Sequence, residues 1–118
     1  MGHNKYKNIW ITFVEIKAEK GFDFIDLIAC EQSQKYAKYK GAFANIIVKS
    51  SSFFEAVDIL PKGLKEKHFR LISVESFDNA KSLIEEGAIS KKLITEIDWL
   101  LESTFVFKIC DDEMFCYV

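Results

Sequence analysis

The sequence predicts an α+β fold, a two-layer sandwich in which one sheet of ferredoxin-like or split βαβ arrangement carries its helices on one face. Three observations lead there. From residue 42 onward the chain reads strand, helix, strand, helix, strand, with an earlier strand before them. Five Gly and one Pro are too few for an all-β chain built from many tight turns. At 118 residues and 49% hydrophobic content, with eleven Phe, the chain can bury a core without a metal or a dense disulfide framework. Residues 1–118 read as one domain.

Residues 9–18 are rich in β-branched and aromatic side chains, with Trp10, Val14 and Ile16 on one face and Ile9, Ile11 and Phe13 on the other. That is the pattern of a well-buried strand, and Glu19-Lys20-Gly21 supplies the turn after it. Residues 22–39 read two ways. Phe24, Leu27 and Ile28 behind an Asp23 cap favour a helix, while Phe22 and Phe24 set against Ile25, Leu27 and Ala29 also suit a hairpin strand. The polar stretch 31–40 continues a helical composition up to Gly41.

Residues 42–50 are a second strand, and Ser52 followed three positions later by Glu55 forms a capping box that starts a helix. Phe53, Val57 and Leu60 give that helix an apolar face, and Pro61-Lys62-Gly63 ends it early or breaks it before residues 64–67. Residues 69–77 alternate as a half-buried third strand. From Asp78 a helical region contains Ala80, Leu83 and Ile84, pauses at Gly87 and resumes behind Ser90 with Ile89, Leu93, Ile97, Leu100 and Leu101 at helical spacing. Residues 104–110 are the last strand, Asp111-Asp112-Glu113 reads as a turn, and residues 114–118 complete a terminal hairpin. A sheet covered on one side leaves a face for a partner or a second copy of the chain, so a homodimer is one expectation.

The 16 basic and 18 acidic residues leave a net charge of −2, which provides no global positive field for a polyanion and disfavours nucleic acid as a partner. No apolar run approaches the ~20 residues that cross a bilayer, and the first residues lack the order of a secretory signal, so the expected location is cytoplasmic. Cys30, Cys110 and Cys116 are an odd count and read as reduced structural thiols, with Cys110 and Cys116 pairing only if they face each other across the hairpin.

Glycine-rich phosphate loops and grouped Cys and His ligands are both missing from the sequence, which implies no cofactor and no metal. His3 and His68 are the only histidines, and His68, at a helix–strand junction, suits a surface role better than that of a general base. The expectation is a chain that is not an enzyme. Lys35-Tyr36-Ala37-Lys38-Tyr39-Lys40 reads as an exposed helix face whose tyrosines pack inward rather than as a base-stacking strip. Asp111, Asp112 and Glu113 form the densest run of carboxylates. They lack the spacing of a calcium loop, so their candidate role is electrostatic contact with a partner.

The block Gly41-Ala42-Phe43-Ala44-Asn45-Ile46-Ile47-Val48, followed by Ser52-Phe53-Phe54-Glu55-Ala56, resembles the strand-to-helix unit of small α/β proteins encoded beside bacterial toxins, among them immunity proteins of contact-dependent growth inhibition systems. The resemblance covers about a third of the chain, in the pattern of a capped helix after a strand. It implies a non-enzymatic inhibitor that covers the active site of a cognate protein toxin, through acidic residues where the toxin is a basic nuclease. No motif of that family transfers a contact residue by position. The alternative expectation is a small ligand-binding regulatory module that dimerises through its sheet.

Overall fold

The computed structural model describes residues 4–27 and 39–117. A short 3-10 turn, Asn4–Tyr6, leads into β1, Ile9–Ala18, and the chain continues through α1, Phe24–Leu27; β2, Gly41–Lys49; α2, Phe53–Glu66; β3, Phe69–Asn79; α3, Ala80–Glu85; α4, Lys91–Glu102; and β4, Phe107–Tyr117. The strands form one four-stranded sheet in the order β3-β1-β2-β4, with every neighbouring pair antiparallel. Because β2 and β3 both run opposite to β1, they are parallel to each other, and α2 joins them across the strand that separates them. That is the split βαβ unit of an α+β fold.

Strand parity divides the core in two. Trp10, Val14 and Ile16 of β1 and Ala42, Ala44, Ile46 and Val48 of β2 turn to one face, where Ala56, Leu60 and Leu64 of α2 cover them. Ile9 and Ile11 of β1 and Ile47 of β2 turn to the other, where Leu93, Ile97 and Leu100 of α4, Ala80 of α3 and Tyr6 cover them. The sequence predicts helices on one face, and this part is corrected: α2 takes one face and α3 with α4 takes the other. The physical reason lies in β1 and β2, whose residues are apolar at odd and even positions alike. Such strands exclude water only when both sides are covered.

Local chemistry sets the helix ends. Ser52 accepts a hydrogen bond from the Glu55 amide at 3.1 Å and Ser90 one from the Leu93 amide at 3.2 Å, so both predicted caps are formed. The Ser52 amide donates to the Ser50 hydroxyl at 3.3 Å. Pro61 lies inside α2, which runs on to Glu66; its missing N–H would have met a carbonyl on the solvent side of the helix, at half-exposed Val57. Gly87 stops α3 with φ +67°, the left-handed conformation that glycine adopts without strain. At the far end of α4, Lys49 reaches up from β2 and donates to the carbonyls of Leu100 and Ser103 at 3.1 and 2.9 Å, tying the helix terminus to the sheet.

Both outer strands are irregular. On β3, Ile72 and Glu75 are extra residues relative to β1. On β4, the backbone from Asp111 to Met114 runs opposite Ala44 alone, between the pairs Cys110 with Asn45 and Phe115 with Phe43. The predicted turn and terminal hairpin are therefore corrected to a single bulged strand, since β2 is long enough to pair with both ends of it. Cys110 is a buried thiol beneath α4, whereas Cys116 pairs in register with Ala42 and lies on the opposite face. The two do not pair, and Cys116 is a disulfide cysteine, which corrects the expectation of reduced thiols there. Cys30 and the Lys35 to Lys38 part of the basic–aromatic stretch lie outside the described residues. No helix among the described residues is long and apolar enough to cross a membrane.

Candidate functional site

Among the described residues, α3 and α4 cover only one end of the face that carries them. Register lays out the remainder in rows: Ser76, Phe13, Asn45 and Cys110; then Ser73, Glu15, Phe43 and Phe115; then Arg70, Lys17, Gly41 and Tyr117. Ile11 and Ile47, in the row before these, are sealed by Ile97 and Leu100, and Cys110 is buried with them. Beyond that line Phe13, Glu15, Phe43 and Tyr117 are half-buried, and Phe115 is 60% exposed.

At the centre of this sector the Tyr117 hydroxyl donates to Glu15 Oε2 at 2.5 Å. The ring reaches that carboxylate because it crosses Gly41: a Cβ there would stand 2.6 Å from the Tyr117 oxygen and 2.6 Å from the Ile16 carbonyl. Burial first, and then the bond to Glu15, push the Tyr117 pKa up to about 12. The phenol is thus a fixed donor near neutral pH. Phe13 and Phe43 stack at 6.0 Å between ring centres and 20° between planes, and Phe43 meets Tyr117 at 5.9 Å. The result is a carboxylate oriented by a phenol and bordered by the rings of Phe13 and Phe43, held on paired strands rather than on loops.

Asp111, Asp112 and Glu113 come close to this sector by backbone position, since their stretch of β4 leaves the ladder between Asn45 and Phe43. Their side chains lie outside what is described. Glu15 and Tyr117 were not singled out by sequence, being separated by 102 positions. One signal was available. Glu15 is the only acid in β1 and occupies the same face as Ile9, Ile11 and Phe13, marking where the cover over that face ends.

Two other features lie apart from this sector. An open groove of about 340 Å³ lies between α2 and the start of β4, lined by Ile59, Gly63, Phe105 and Phe107 together with Lys62, Glu66 and Lys67. Phe105, in its wall, stacks on Trp99 at 5.9 Å. The lining of the groove is mainly apolar, and its charged members Lys62, Glu66 and Lys67 come from a single stretch of chain at the end of α2. His68 follows α2 with φ +67°, stacks on Phe22 at 4.1 Å and stands 4.0 Å from Glu19. Its ring contacts are those of a turn residue, and the described residues place no nucleophile against it. Among the described residues no three metal-ligating side chains converge.

Comparison with protein-family models, curated proteins and solved structures gives no match. The functional reading therefore rests on the geometry of the sector and on the chemistry its residues can perform.

Proposed function

We propose that the chain is a non-enzymatic protein-binding module that acts as an immunity protein, covering the active site of a cognate toxin with the open sector of its sheet. One observation carries this reading: the Glu15–Tyr117 pair among Phe13, Phe43 and Phe115, on the part of the sheet that α3 and α4 leave open. Large apolar rings on a preformed backbone gain contact area with little loss of conformational freedom, and interface energy concentrates on such residues. A carboxylate at their centre, with the Asp111-Asp112-Glu113 run beside it in the backbone, selects a basic groove and speeds encounter with it. An inhibitor needs nothing more than this: occupancy of the groove excludes the substrate.

The same exposed Phe115 supports a second reading, in which two copies bury the sector against each other. Co-expression with the product of the neighbouring open reading frame separates the two. A one-to-one complex that abolishes the neighbour's toxicity supports the immunity role, and a homodimer that ignores the neighbour supports the second.

A further inference from the structure

We infer that the sector around Glu15 is a receptor for a cationic side chain, an arginine or lysine that a partner protein inserts against the Phe13 and Phe43 rings. The inference rests on the protein-binding reading above and names the chemical group that the site takes. Glu15 offers two carboxylate oxygens, and Tyr117 uses one of them, Oε2. The hydrogen bond fixes the carboxylate without neutralising it, so the other oxygen is presented to a donor from outside. Among the described residues no ion pair reaches Glu15, although Lys17 and Arg70 occupy the next row of the sheet.

Those two cations decide the direction of approach. A ligand cation is repelled from their row and drawn to the side of Glu15 toward Phe13, where the rings of Phe13 and Phe43 lie stacked. A guanidinium or ammonium group beside an aromatic ring gains from the negative charge of the ring face, and gains more where water is partly excluded. Guanidinium fits best, because its planar fork pairs with carboxylate oxygen and stacks on a ring at once. An anionic group from a partner would instead face Glu15 across an apolar surface, with Lys17 and Arg70 its nearest attraction.

The test is amide NMR on the isotopically labelled full chain, titrated with hexa-arginine and, separately, with hexa-glutamate. Hexa-arginine is expected to shift the amides of Phe13, Glu15, Phe43, Phe115 and Tyr117, and hexa-glutamate is not. Glu15→Gln keeps an acceptor for Tyr117 while removing the charge, and should weaken hexa-arginine about tenfold. Phe115→Ala, at an exposed position, provides a second variant whose folding is not in question; it should keep the same pattern of shifts at reduced affinity. Unchanged affinity in Glu15→Gln, shifts centred elsewhere, or equal binding of hexa-glutamate overturns the inference. Failure here alongside an intact toxin complex removes the cation site and leaves the immunity reading standing; binding here without any toxin complex does the reverse.

Discussion

Tyr117 and Glu15, 102 positions apart, are joined by a hydrogen bond that passes directly above Gly41. The bond fastens the last strand to the first across the strand between them, so the sheet is locked laterally at the end that α3 and α4 leave open. Gly41→Ala should disturb both ends of this lock. Its Cβ would meet the Ile16 backbone carbonyl as well as the Tyr117 ring, and the carbonyl cannot swing away. A loss of about 2 kcal/mol in urea unfolding is expected. Tyr117→Leu in the same chain should recover only part of it, because the Ile16 contact remains.

Alkaline pH should release the lock. Tyr117 holds its proton more tightly in the folded chain, with a pKa of about 12 against an ordinary value of 10.0. A raised folded-state pKa means that its stabilisation is complete below the unfolded value and is lost as pH climbs between the two. The urea midpoint should therefore fall from about pH 10 to about pH 12, and Tyr117→Phe should flatten that decline. Tyr6, raised by burial and by its bond to Asp98, contributes a slope of the same sign. Absorbance of tyrosinate, followed in the single Phe variants, separates the two.

Division of the core between two faces makes a further quantity measurable. Leu60 packs under α2 and Ile97 under α4, with the sheet between them. Leu60→Ala and Ile97→Ala should each cost about 3 kcal/mol, and the double variant should equal their sum to within about 0.5 kcal/mol. A large coupling would mean that the two clusters share packing through the sheet.

Helix initiation offers a smaller effect. Ser52→Ala removes the acceptor for the Glu55 amide and should cost about 1 kcal/mol. Ser52→Asp, which keeps the acceptor and adds a negative charge at the positive end of the helix, should restore it. Thermal unfolding of the two variants side by side makes the comparison.

Local signals were read from the sequence where local physics decides the outcome. Ser52 and Ser90 cap helices because a hydroxyl three positions from an amide needs no distant partner. β1 was visible as a strand because its β-branched and aromatic residues fill one face along its length and the other as far as Ile11. What escaped was decided at long range. Asp111-Asp112-Glu113 has the composition of a turn, yet β2 offers pairing on either side of it and the chain continues as a bulged strand. Pro61 is a helix breaker by local rule, but the carbonyl it leaves unpaired lies toward water. The apolar residues at odd positions of β1 and β2 announced a second covered face, and the assignment of every helix to one side overlooked them. Glu15 and Tyr117 belong together only because β1, β2 and β4 lie side by side, an adjacency that no spacing in the sequence encodes.

The bulges on β3 and β4 bear on how this sheet meets other chains. A strand adding to an edge needs a straight run of amides and carbonyls at even spacing. Ile72 and Glu75 interrupt that run on one edge, and the stretch from Asp111 to Met114, three of its four members acidic, interrupts it on the other. Growth of the sheet by stacking copies edge to edge is opposed at both ends, by geometry and by charge. The molecule can thus carry the exposed Phe115 and the half-buried rings beside it on its sheet without offering the template along which β-rich chains polymerise into fibres.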